Sequence, residues 1–244
     1  MKLRSIMCVG AVALTAAAFA TDVLEDKTLG WMKVESTNTV TAVGVPWVDV
    51  ADTNSAVKVA DLVKTDNLTN GDNLYVYDNG TWTFYTLSGG AWVAGTTANS
   101  SITATAGNPS EATIARGQAM YLERSNPTVP GFFYVYGAVG SAIQPQTLTA
   151  NSKNLVASPK AAAFVISTTS IENATAKAKG QKGDQIVVPL EGGASRVYTL
   201  VNGAWGYTDS TTGTRMTSAA DCTVPLGTGF WYNTAAGSTP TIKW

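Results

Sequence analysis

The sequence predicts a mainly β protein made of two tandem copies of one small sandwich- or barrel-like domain, each with one short helix. Three observations carry this reading. Residues 71–92, GDNLYVYDNGTWTFYTLSGGAW, alternate along the chain and write out their own turns. The same pattern returns as GDQIVVPLEGGASRVYTLVNGAW from Gly183. Elsewhere, turn residues punctuate the chain roughly every 8–12 residues, the spacing of short strands in sandwiches and barrels.

The first stretch is read as a hairpin followed by a third strand. Asn79-Gly80 is the turn, because a two-residue type I′ loop needs φ > 0 at both central positions. That loop sets the register: Tyr77 faces Trp82 and Tyr75 faces Phe84. Tyr75, Tyr77, Trp82 and Phe84 then form an aromatic ladder on one face, with Leu74, Val76, Thr83 and Tyr85 on the other.

The second stretch repeats the first in order. Gly71-Asp72 matches Gly183-Asp184, Tyr85-Thr86-Leu87 matches Tyr198-Thr199-Leu200, and Gly90-Ala91-Trp92 matches Gly203-Ala204-Trp205. Val43-Gly44-Val45-Pro46 precedes the one as Val156-Ala157-Ser158-Pro159 precedes the other. Downstream, residues 116–121 correspond to residues 226–231. A fixed order of matches implies a duplicated unit, expected over residues 28–136 and 137–244. The comparison assigns the faces. Leu74, Val76 and Tyr85 become Ile186, Val188 and Tyr198, apolar in both, so this is the core face. The ladder residues become Val187, Pro189, Ser195 and Val197, so the ladder belongs to the first copy alone.

Taken in order, residues 1–20 read as a signal peptide. Lys2 and Arg4 precede an apolar run over residues 6–18, and Ala18-Phe19-Ala20 fits a small-x-small cleavage site. The run is shorter than the roughly 18 apolar residues that suggest a membrane span. Residues 21–27 have no counterpart in the repeat and form an N-terminal arm. Residues 29–47 are strand-like. Residues 57–63 (VKVADLV) are the short-helix candidate of the first copy, and residues 169–179 hold that place in the second behind a Ser/Thr N-cap. Residues 95–110 read as a long loop or weak edge strand. Residues 131–137 (GFFYVYG) end the first copy as a hydrophobic strand, with residues 240–244 as their counterpart. The arm and this last strand, lacking a flanking turn, are suited to pairing with a neighbour's open edge.

Composition excludes much chemistry. The 244 residues contain no histidine, which removes Ser-His-Asp and Cys-His catalysis and the usual zinc sites. Two carboxylates suffice for a glycosidase, but the acid repeated between copies, Asp72 and Asp184, follows Gly in a turn, where Asp serves local hydrogen bonds. No catalytic residue and no cofactor is implied. Sixteen basic against 17 acidic residues, with no Lys/Arg cluster, give no nucleic-acid footprint. Outside the leader, Cys222 is the lone cysteine and is expected to be buried. Asp66, Asn70 and Asp72 are the weak calcium candidates, although their loop lacks EF-hand spacing. The ladder of Tyr75, Tyr77, Trp82 and Phe84 is the binding or interface candidate. It would stack on sugars, meet a partner, or lie covered by the short helix or the other copy; the last is favoured.

The order TLGWMKV, a strand ending in Val45-Pro46, GDNLYVYDNGTW, RGQAMYLER and PGFFYVYG resembles exported tandem β-repeat proteins of planctomycete–verrucomicrobial-type bacteria. The resemblance spans nearly all of the chain after the leader. It implies a secreted or surface β-repeat protein and transfers no functional residue. The expected function is that of a secreted or cell-surface, non-enzymatic structural protein that associates with itself in an extracellular assembly or filament. The alternative is a carbohydrate-binding or adhesive module pair on surface polysaccharide; a small hydrolase ranks third.

Overall fold

The computed structural model describes residues 29–36, 40–47, 56–64, 68–78, 80–98, 102–128, 131–139, 143–178, 183–190 and 194–244. The expected leader and arm, Asp66 and Asn79 lie outside these residues. The first half contains β1 (Leu29–Ser36), β2 (Val40–Gly44), β3 (Val57–Lys58), the one-turn helix α1 (Val59–Leu62), β4 (Val63–Lys64), β5 (Asn73–Asp78), β6 (Thr81–Ser88), β7 (Ala91–Ala94), β8 (Thr105–Ala106), β9 (Thr113–Ile114), β10 (Ala119–Glu123) and β11 (Gly131–Ala138). The second contains β12 (Gln146–Thr147), β13 (Lys153–Ala157), β14 (Phe164–Val165), β15 (Ser170–Glu172), β16 (Gln185–Pro189), β17 (Ser195–Val201), β18 (Ala204–Thr208), β19 (Arg215–Met216), β20 (Thr223–Val224), β21 (Gly229–Asn233) and β22 (Thr241–Lys243).

The protein is mainly β, in several antiparallel sheets, and the pairing order of one half recurs in the other. A larger sheet runs β2-β10-β5-β6-β7 in the first half and β13-β21-β16-β17-β18 in the second. A three-stranded sheet runs β1-β11-β4 and again β12-β22-β15, and a short pair β3-β9 is matched by β14-β20. The hairpin register is the one a two-residue turn demands: Tyr77 pairs with Trp82 and Tyr75 with Phe84. Gly80 supplies the positive φ of that turn.

Each larger sheet buries one face beneath its three-stranded sheet. In the first half Val43, Leu74, Val76, Tyr85, Leu87, Met120 and Leu122 meet Met32 and Val135, with Trp92 in the same core. In the second, Val156, Ile186, Val188, Tyr198, Phe230 and Tyr232 meet Ile242, with Trp205 and Cys222 in the same core. Alternation therefore places the expected residues inside.

Three expectations are corrected. Residues 169–179 form no helix: Ser170–Glu172 is a strand pairing with β22, and Asn173 turns the chain at φ 58°. The Ser/Thr-rich lead-in extends readily, and Ile171 packs against the second core, a burial that a solvated turn of helix would forgo. The C-terminal strand is not free for a neighbour, since β22 is central between β12 and β15. The boundary expected between Tyr136 and Gly137 falls inside β11, whose pairing with β1 continues to Ala138.

The halves join through reciprocal contacts. Gly44 N donates to Gly227 O at 2.7 Å, and Ala157 N, in the matching place, donates to Gly117 O at 2.7 Å. Bridges Val43–Thr228 and Gln118–Val156 repeat the exchange. Small residues make this approach possible: a Cβ at Gly44 would lie 2.5 Å from that of Ala157, and one at Gly229 would lie 2.6 Å from that of Ala119.

Candidate interaction surfaces

The aromatic ladder is built as the hairpin requires and is then closed from two sides. Tyr75 is buried and stacks on Phe84, with ring centroids 5.7 Å apart. Its hydroxyl donates to Glu123 Oε2 at 2.8 Å, which Asn73 Nδ2 also approaches at 3.2 Å. The chain after β7 folds back over this end. Thr97 O accepts from Asn73 Nδ2, Thr96 N donates to Thr86 Oγ1, and β8 runs parallel beside β6. Gly95 lies so close to the Phe84 ring that a Cβ there would come within 2.4 Å.

The other end of the ladder is covered by the second half. Trp82 stacks on Tyr121 with centroids 5.2 Å apart, and Trp231 meets Tyr77 and Trp82 edge-on at 5.2 and 5.9 Å. Trp231 Nε1 donates to the Tyr121 hydroxyl. Burial pushes the Tyr121 phenol up, with that hydrogen bond acting the other way. Ala119, Leu155 and Ala157 complete the cluster. Tyr75 and Phe84 thus belong to the first half's own packing, and Tyr77 and Trp82 to the seam between halves.

The repeated acids are structural. Asp72 is buried and accepts from Thr69 N at 2.9 Å, Ser125 N at 2.8 Å, Ser125 Oγ at 2.8 Å and Arg124 Nε at 2.9 Å. Asp184 holds the matching place with neutral donors only: Tyr232 OH at 2.9 Å, Ser238 Oγ at 2.8 Å, Ala235 N at 2.7 Å and Thr175 N at 3.1 Å. Burial, then the charge of Asp184, pushes the Tyr232 phenol far up. Asn70 Oδ1 accepts from Gly89 N. Of the calcium candidates, Asn70 and Asp72 are engaged in this way and Asp66 lies outside the described residues, among which no group of three potential metal ligands occurs. Cys222 is buried, and desolvation raises its thiol pKa.

A groove of about 410 Å³ lies between the halves, lined by Tyr77, Asp78, Arg116, Gln146, Lys153 and Asn154 among others. Arg116 Nε is shared between Pro46 O and Pro159 O, so its guanidinium ties the two halves at the groove's margin. Desolvation lowers its pKa. Asp78 is the only carboxylate among the described groove-lining residues.

The exposed aromatic surface lies elsewhere, on the outer face of the sheet β1-β11-β4. Trp31 is 66% exposed, Leu29 55% and Tyr136 40%. Trp31 sits opposite Tyr136 in register and edge-on to Tyr134, with centroids 5.4 Å apart at 69°. Tyr134 in turn meets Phe132, over whose ring Lys33 Nζ lies at 4.3 Å. Sequence reading overlooked this strip, though its signal was present: alternation sets Leu29 and Trp31 on one face of their strand, and Phe132, Tyr134 and Tyr136 on one face of theirs.

Fold and surface together define a mainly β protein of antiparallel sheets with one aromatic face turned outward. Among the described residues no helix is long and apolar enough to cross a membrane. The chain matches no family model, no curated protein and no solved structure.

Proposed function

We propose that this chain is an exported, non-enzymatic structural protein of the cell surface or extracellular space, acting through contacts that its own surface makes, self-association foremost. The observation that carries the reading is the outward strip of Leu29, Trp31, Tyr134 and Tyr136 on β1 and β11. Aromatic side chains bury large areas at contacts with little loss of rotamer freedom, and exposed apolar patches rimmed by polar residues mark such contacts. The missing histidines, and the single acid among the described groove-lining residues where glycoside hydrolysis uses a pair, support a non-enzymatic role. Glycan binding by this strip has less support. The tilted rings of Trp31 and Tyr134 share no plane along which successive sugars could lie.

Fractionation of native cells tests this reading. The mature chain is expected in an envelope or extracellular assembly. A chain found wholly in the medium as free monomer would refute it.

A further inference from the structure

Sheet edges show where a second chain could add. Each strand edge presents unpaired N–H and C=O groups, and folded proteins blunt such edges with short or polar strands. Here β2 and β13, at one edge of the larger sheets, bond across the junction to the opposite half. At the other edges, β4, β12 and β19 each span two residues, β15 three and β7 four. Strand β1 is different. It runs for eight residues, Leu29–Ser36, and among the described residues it pairs only with β11.

The second half provides an internal comparison. Its counterpart to β1 is β12, Gln146–Thr147, short and polar. The same edge is thus blunted in one half and left long in the other, and the long one borders the outward strip of Leu29 and Trp31.

We infer that β1 is a docking edge for β1 of a second copy of this chain, joined antiparallel about a twofold axis. This deepens the contact role proposed above and rests on it. Pairing would make one six-stranded sheet, β4-β11-β1 continuing into β1-β11-β4 of the other copy, in a closed dimer.

Parity and charge select the register. Residues directly opposite one another must point to the same face, so odd positions meet odd and even meet even. Centring the axis on Lys33 would set the two lysines against each other, which is unfavourable. Centring it on Met32 overlaps residues 29–35, nearly the whole strand. Trp31 then meets Lys33 of the second copy, Leu29 meets Glu35, and Gly30 meets Val34. Lys33, already over Phe132 of its own chain, gains a second aromatic face, a contact ammonium groups favour.

Two measurements test the inference on the mature chain. In sedimentation equilibrium the wild type is expected to dimerise, and Trp31→Lys to weaken the dimer at least about tenfold, as loss of an interface tryptophan typically does. Because Trp31 is exposed, the thermal melt of Trp31→Lys monomer should stay near that of the wild type, which separates docking from folding. In the second measurement, Leu29→Cys and Glu35→Cys proteins are mixed under mild oxidation. Opposed antiparallel residues lie within disulfide reach, so the mixture should cross-link and neither protein alone should; Cys222 is buried. A wild type monomeric at about 100 µM, a dimer too weak to matter by affinity arithmetic, would overturn the inference. So would association unchanged by Trp31→Lys, or a mixture that cross-links no more than the separate proteins do. In each case, retention in the native envelope would leave the broader contact role standing, and free monomer in the medium would remove both.

Discussion

Arg124→Met is the sharpest perturbation of the first half. Arg124 and Asp72 form an ion pair at 2.9 Å, with side chains 1% and 0% exposed. Solvent and salt therefore do little to screen it. Removing one member of a buried pair costs about 3–5 kcal/mol, because the other charge is left without its counterion. Asp72 keeps the donors Thr69 N, Ser125 N and Ser125 Oγ, which places the expected loss near the lower end, about 3 kcal/mol. Asp184 sets a useful limit, since that carboxylate is held by neutral donors alone. Replacing both members, Asp72→Asn with Arg124→Met, removes both charges and should destabilise by less than the sum of the single changes. A coupling of about 2 kcal/mol is expected for groups in direct contact. Urea melts of the wild type, both single variants and the double variant, repeated at low and high salt, give these quantities. A loss below about 1 kcal/mol for Arg124→Met, or strict additivity, would show that the pair does not hold the Asp72 turn to β10.

Other outcomes follow from the same geometry. Gly131→Ala places a Cβ 1.5 Å from Arg124 Nη1; it should lower stability by about 1–3 kcal/mol in thermal melts, and most of that loss should vanish in an Arg124→Met background. Gly229→Val forces a branched side chain onto Ala119 across the seam, so calorimetry should show one unfolding transition separating into two as the halves uncouple. The Tyr232 phenol is raised by burial and Asp184, so the folded state resists ionising it. Its stabilising contribution is present below the unfolded value near pH 10 and declines above it, by about 1.4 kcal/mol per pH unit. Tyr232→Phe should flatten that alkaline decline and lower stability at neutral pH by about 1–3 kcal/mol, the penalty for leaving Asp184 one donor short. An unchanged alkaline slope would count against this assignment.

Local chemistry determined a good part of the protein without any tertiary information. The turn at Gly80 settles which residues of β5 and β6 face each other, because a two-residue loop leaves no freedom of register. Period-two alternation, compared between residues 71–92 and 183–205, separates Leu74, Val76 and Tyr85 from the ladder, because a core face tolerates only apolar side chains. What covers the ladder was decided elsewhere. Phe84 lies against Gly95 and pairs with Ala106, in a stretch that carries no committed period, and Trp82 lies against Trp231, far along the chain. The same holds for Asp72, whose cation arrives from Arg124, for residues 170–172, drawn into a strand by β22, and for β1, whose length matters only because no described strand takes its outer edge. These outcomes depend on pairings between distant segments, whose burial free energy outweighs local preference and has no counterpart in a local pattern.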